Sequence, residues 1–397
     1  MHINVEYRPS DSLAWLLLKN AALNLITLTI YRFWAKTRVR QYFWQAVRVD
    51  GEPFEYTGLG RELLIGFLIV LAVLAPATLA WSTAQTLLST DPVGLSIAQG
   101  IYFFILFVLI QAAGFRARRY RLSRTLWRGI RAGQDGSTWR YVGQSLLWGL
   151  ASAATLGLAY PSTRLALQRY RTVNTRFGDQ HFSFDAPLMP LFTRWLVVLT
   201  PLILFYLVII GFSIAVERSI GDSDAEAVGR KIGEAMVAHG KLMGVALVLL
   251  AILPFTWAWY RMAEFRHFAA HTRLGEITFR STARGRAILI RLTGFALAAL
   301  GATILVGLLV FWWSRALISL GMGQIFAFAT VGGVLGLLLV LFGYRFLWTM
   351  IVTAGLVRHI CETLEISGLE TLDGVAQASA PSDKYGEGLA DSFEVAG

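Results

Sequence analysis

Polar residues fall in blocks along this chain, and between the blocks lie six continuous apolar runs: residues 63–81, 97–114, 191–216, 242–260, 287–313 and 325–344. Each is near or above the length of about 20 helical residues that a hydrocarbon core requires. Unbroken runs predict helices, because a membrane barrel would alternate and lipid leaves no water to bond an open backbone. Two further apolar stretches, 13–30 and 146–160, are short and partly polar. The first holds Lys19, Asn20 and Asn24; the second is rich in Gly, Ala and Ser and is stopped by Pro161.

The polar blocks are basic. Arg116, Arg118, Arg119, Arg121, Arg124, Arg128, Arg131 and Arg140 form one, Arg164, Arg169, Arg171 and Arg176 another, and residues 261–286 a further one. Basic short loops stay in the cytoplasm and each full span switches sides. If 13–30 and 146–160 both crossed, residues 164–176 and 261–286 would lie outside. The economical arrangement makes both short stretches re-entrant or interfacial half-helices, leaving six full spans and both termini in the cytoplasm. Irregular backbone at membrane depth survives only against protein or a watery cavity, which makes these two stretches the expected functional centre.

Composition agrees. The 397 residues are 55% hydrophobic and 15% charged, with a mean hydropathy of +0.55 and a net charge of +11. Arginine supplies nearly all of the positive charge and pairs well with phosphate, so anionic membrane lipids are the expected partners. Nucleic acid would explain the charge and leave the apolar runs unexplained. The single cysteine, Cys361, rules out an internal disulfide and multi-cysteine metal sites. The fold class expected is all-α: a polytopic helical membrane protein of about six full spans and two half-helices, with internal repeats. Residues 1–359 would form the membrane domain and the Asp/Glu-rich residues 360–397 a flexible cytoplasmic tail, able to recruit a protein partner.

Repetition is visible in two devices. Tyrosine is followed by arginine at Tyr7, Tyr31, Tyr120, Tyr170, Tyr260 and Tyr344, a pair suited to anchoring a helix end at the headgroups. A turn beginning with glycine recurs at Gly51, Gly136, Gly178 and Gly275, with an aromatic three or four residues on that could wedge into the interface. The unit read from these is a basic surface motif followed by a pair of spans, present about three times.

The run from Asn24 through Thr27, Tyr31, Arg32, Trp34 and Lys36 to Arg38 resembles the opening signature of the YjgN-like family of bacterial inner-membrane proteins. Thr155-Leu156-Gly157-Leu158-Ala159-Tyr160-Pro161 resembles its second copy, and Gly386-Glu387-Gly388-Leu389-Ala390-Asp391 resembles its tails. Ser162 stands where the second copy expects tryptophan. The resemblance implies a multi-pass inner-membrane protein of unknown function, with no catalytic residues to carry over.

Candidate chemistry is sparse. Lys19, Asn20, Asn24, Thr27, Thr29, Thr155 and Arg345 place polar groups at or near membrane depth and are the solute-path candidates. Arg345 reads as a last Tyr-Arg anchor if its helix leaves the membrane at Tyr344, and as a buried charge if it does not. The headgroup candidates are Tyr31, Arg32, Arg38, Arg40, Arg118, Arg119, Tyr120, Arg121, Tyr170, Arg171, Tyr260 and Arg261. Glu264, His267 and His271 share a helical face at metal-ligand spacing, but such spacing arises readily on surface helices. No metal, cofactor or enzymatic activity is expected. The leading expectation is movement of a small polar or anionic solute; the alternative is a lipid-organising scaffold or a partner of another envelope protein.

Overall fold

The computed structural model describes residues 2–220, 225–319 and 326–375. Helices dominate, and six of them are long and apolar enough to cross a membrane: Gly60–Leu87, Pro92–Ser123, Met189–Arg218, Gly240–Ala270, Gly285–Leu317 and Gly336–Thr363. Five overlap the expected spans throughout. The start of the last expected span, at residue 325, lies outside the described residues. That final helix does not end at Tyr344: α11 (Phe326–Leu347) runs through a π-helical stretch, Trp348–Thr353, into α12 (Ala354–Thr363). Arg345 therefore sits inside a continuous helix, exposed on its side.

The all-α expectation fails in one respect. Ten short strands close into an antiparallel barrel in which every strand neighbours the next in sequence and β1 (His2–Tyr7) pairs with β10 (Leu364–Ser367). The others form four hairpins: β2 (Val47–Val49) with β3 (Glu52–Tyr56), β4 (Thr125–Trp127) with β5 (Ile130–Gln134), β6 (Thr175–Phe177) with β7 (Gln180–Phe184), and β8 (Thr272–Leu274) with β9 (Ile277–Ser281). Each turns on two residues, since Val49 faces Glu52, Trp127 faces Ile130, Phe177 faces Gln180 and Leu274 faces Ile277. Asp50-Gly51 and Arg128-Gly129 have positive φ at both positions, and Gly178 and Gly275 at the first. Such turns match the twist of paired strands. Gly136, read from the sequence as one of these turns, instead precedes the Ser137 cap of α5 (Thr138–Ala154).

Alternation fills the barrel. Val5, Val49, Trp127, Leu274, Ile277 and Ile366 are buried in one cluster, joined by Phe54, Phe177, Phe182 and Phe279. Phe54, Phe182 and Phe279, expected to wedge into the membrane interface, thus pack inside the barrel, whereas Trp139, after Gly136, is exposed. Cys361, 4% exposed, and Leu369 and Leu372 of a 3-10 turn (Leu369–Gly374) complete the same core. The stretch read as an acidic tail begins inside the fold, because β10 and this turn belong to the barrel; residues 376–397 lie outside the described residues.

Strand direction fixes the architecture. Every helical excursion joins the barrel at one rim and every two-residue turn lies at the other, because the strands alternate up and down. Helical excursions leave that rim five times: α1 (Leu13–Ile26) with α2 (Arg32–Ala46), α3 (Gly60–Leu87) with α4 (Pro92–Ser123), α5 with α6 (Tyr160–Val173), α7 (Met189–Ile220) through α8 (Ala225–Ala238) to α9 (Gly240–Ala270), and α10 (Gly285–Ser319) through α11 to α12. The two short pairs turn back after 14 and 17 helical residues. They return to the rim they left.

One seam recurs at all five junctions. The residue after each outgoing strand donates its N–H to the carbonyl just before the next incoming strand: Arg8 to Ala46, Thr57 to Arg124, Asp135 to Asn174, Asp185 to His271 and Thr282 to Thr363, at 2.7–3.3 Å. These bonds continue each inter-strand ladder into the helix-bearing rim.

Candidate functional site

The two short excursions end in turns of matching geometry. Thr27 Oγ1 donates to Leu23 O at 2.7 Å and accepts the Tyr31 N–H at 3.0 Å; Thr155 Oγ1 donates to Ala151 O at 2.8 Å and accepts the Ala159 N–H at 3.0 Å. Each hydroxyl thus closes one helix and starts the next. The chain reverses through positive φ at Leu28 and Thr29 in one turn and at Leu156 and Gly157 in the other. Trp195 of α7 donates to Gly157 O at 2.8 Å and braces the second turn. At the tips, Leu28 and Leu156 are 84% and 89% exposed, so this chain leaves both uncovered.

The solute-path candidates do not converge. Asn20 is buried and its amide nitrogen lies 3.4 Å from Ala35 O, tying α1 to α2, while Lys19, Thr29, Thr155 and Arg345 are exposed. Thr27 is used in its turn, and Asn24 Oδ1 is buried without a hydrogen-bond partner.

A different group of residues forms a cavity. Arg164, Gln168, Arg261 and Glu264 line a space of about 370 Å³ between α6 and α9, walled by Phe182, Phe265, Phe268 and Phe279 where it meets the barrel. Glu264 is 1% exposed and bridges both arginines: Arg164 Nε lies 2.7 Å from Oε1, and Arg261 donates to Oε2. Burial alone would lower the pKa of Arg164, but the charge and hydrogen bond of Glu264 outweigh it and hold the guanidinium above its ordinary range. A stack of Tyr160 on Trp195, with ring centroids 4.4 Å apart, packs beside it with Tyr260. His267 donates through Nε2 to Pro187 O at 2.9 Å, and the face shared by Glu264, His267 and His271 is occupied by these structural bonds. Among the described residues no group of three or more His, Cys, Asp or Glu is arranged to hold a metal.

Burial sorts the headgroup candidates. Arg32 and Arg38 are exposed, lying over Phe67 at 4.5 Å and Tyr31 at 5.7 Å, and Tyr31 is half-buried. Arg40 is buried and donates to the Tyr56 hydroxyl at 3.3 Å. Arg118, Arg119, Arg121, Tyr170, Arg171 and Arg261 are half-buried. Tyr120 and Tyr260 are fully enclosed, at 0% exposure, which removes their rings from headgroup level.

The device that sequence reading missed lies one step along. Five residues before each incoming strand stands Tyr42, Tyr120, Tyr170, His267 or His359, preceded in the last four by arginine. Each reaches the segment leaving the neighbouring strand. Tyr42 bonds Tyr7, Tyr120 donates to Glu62, Tyr170 donates to Ser137 O at 2.9 Å, His267 to Pro187 O, and His359 Nε2 accepts the Arg284 N–H at 3.2 Å. Reading the dipeptide as Arg-Tyr or Arg-His, aligned on the turns, would have found four of the five.

Comparison with curated proteins and with solved structures finds no match. Residues 11–392 match the family described as "Bacterial protein of unknown function (DUF898)", with which the YjgN-like resemblance is consistent. With a match over nearly its whole length, the chain belongs to this bacterial family.

Proposed function

We propose that the protein is a lipid-organising scaffold of the bacterial inner membrane, in which a cytoplasmic barrel holds six spans and two re-entrant hairpins in a ring. The observation that carries this reading is the connectivity: all five helical excursions leave and re-enter one rim of the barrel. The basic segments at the helix ends cluster on the barrel's side, and the positive-inside rule makes that side cytoplasmic. Exposed apolar faces such as Leu308, Trp312 and Phe103 meet lipid, and Leu28 and Leu156 embed the re-entrant tips part-way into one leaflet. Arg32, Arg38, Arg116 and Arg140, exposed near the rim, draw anionic headgroups. The fivefold seam supports an internal repeat of one β-hairpin with its flanking helices, in place of the threefold unit read from sequence.

Solute movement, the other reading, finds less support, because its candidate residues are dispersed and the cavity at Glu264 is lined by others. A partner of the acidic residues 376–397 belongs to the sequence reading alone. The test is lipid retention: purified protein should carry phospholipid enriched in anionic headgroups over its source membrane, and Arg32→Gln with Arg38→Gln should reduce that enrichment. Retention that mirrors the bulk membrane, or a specific solute flux in proteoliposomes, would overturn the scaffold reading.

A further inference from the structure

At the second hairpin two arginines lie within electrostatic reach of each other, and neither pairs with an acid. Arg118 of α4 donates to Thr175 Oγ1 at 3.4 Å, and Arg171 of α6 donates to the Tyr141 hydroxyl, its guanidinium 5.0 Å from that ring's centre. The ionic charges acting on Arg118 are positive, those of Arg171 and Arg121. Other inner arginines are neutralised: Arg124 by Glu62, Arg164 and Arg261 by Glu264, Arg176 by Asp135. Neither Arg118 nor Arg171 makes an ion pair with a carboxylate among the described residues.

A buried amide completes the cluster. Gln134 ends β5 directly across the ladder from Thr175, so their side chains share a face of the sheet. It is 4% exposed, and neither its oxygen nor its nitrogen has a hydrogen-bond partner; Nε of Arg118 and of Arg171 are likewise buried and unpartnered. The first hairpin shows the same two places satisfied, where Arg40 donates to Tyr56 OH. In the second hairpin they hold Arg118 and Gln134, where Gln134 and the Nε of Arg118 remain without partners. Two like charges beside an unsatisfied amide are costly unless a multivalent acceptor joins them, and a tetrahedral oxyanion matches guanidinium donors well.

We propose that Arg118, Arg171 and Gln134 form a binding site for a phosphate group, carried by a phospholipid headgroup or free in solution. The site goes beyond the scaffold reading, since free phosphate would fill it as well as lipid. Delipidated full-length protein in detergent is titrated in one arm with inorganic phosphate, followed by thermal shift, and in the other with phosphatidylglycerol, followed by native mass spectrometry. Binding in either arm should weaken about tenfold or more in Arg118→Gln and Arg171→Gln, less in Gln134→Leu, and not in Arg230→Gln, a residue paired with Glu234 away from the site.

Arg118→Met guards against a folding artefact. Without ligand it should melt higher than the parent, because one of two like charges is removed, and it should no longer bind. Failure of both arms, unchanged binding in Arg118→Gln, or a lower ligand-free melting temperature for Arg118→Met would overturn the site. So would binding that appears only after deletion of residues 376–397, which would make the acidic segment the occupant. Bulk enrichment of anionic lipid with no loss in these variants would leave the scaffold reading standing while this site falls.

Discussion

Thr29 and Gly157 occupy the same place in the turns of the two short helix pairs, at φ 70° and 88°, each donating its N–H to a carbonyl five residues back, Asn24 O at 2.7 Å and Ser152 O at 2.6 Å. Glycine adopts this conformation freely, whereas a β-branched side chain is strained there by about 1–2 kcal/mol. Thr29→Gly should therefore raise thermal stability in detergent and Gly157→Thr lower it. A loss of stability in Thr29→Gly would show that the threonine side chain is needed.

Glu264 neutralises two arginines from a fully enclosed position. Removing one partner of a buried ion cluster leaves the others uncompensated, at a cost of about 3–5 kcal/mol. Glu264→Gln should destabilise the protein on that scale, and Arg261→Gln by less, because Arg164 still pairs with the carboxylate. Denaturant unfolding that ranks Arg261→Gln as the more damaging would contradict the arrangement.

Cys361 reports on barrel integrity. It is 4% exposed in the core shared with Val5 and Ile366, so a thiol reagent should label it slowly in the native protein. Placing a charge in that core, as Val5→Asp or Ile366→Asp, should open the β1–β10 seam and speed labelling markedly. Rapid labelling of the parent would mean that the barrel does not close around this residue.

Tyr7 links the barrel to alkaline pH. Burial, then the neighbouring charge and hydrogen bond of Tyr42, raise its pKa above the ordinary tyrosine range despite Arg358. The folded state then keeps a proton that the unfolded state loses, so stability is present below about pH 10 and declines as pH rises beyond it. Tyr7→Phe should flatten that decline. An unaltered alkaline limb of the stability profile would assign the titration elsewhere.

Gly178 and Gly275 both lie in turns at the rim far from the helices. Compartment-sensitive reporters inserted at either should signal the cytoplasm, and one near Asp91, between α3 and α4, the opposite side. An external signal at Gly178 would undo the re-entrant path of α5 and α6.

The spans were legible because lipid demands uninterrupted apolar helices, and Lys19, Asn20 and Pro161 mark the two that stop short. The barrel was not, although Val47-Arg48-Val49-Asp50-Gly51 carries both the alternation and the turn of a hairpin. Its strands of three and five residues are too short to stand against a helical background, and they gain stability from neighbours distant in the sequence, such as Phe182 beside Phe279. For the candidate sites, arginine clusters were visible as charge. Which arginines are neutralised depends on Glu62 and Glu264, whose positions follow from tertiary contacts alone.

Four of the five ring segments are hairpins; the fifth pairs two strands far apart in sequence, with Ile3 opposite Ile366. The strand that fastens the ring is thus made after the six long apolar helices of the described residues. Until it arrives, β1 and β9 present open edges able to pair with a foreign strand. A prematurely terminated chain would keep that vulnerability, so the latch distinguishes finished molecules from unfinished ones.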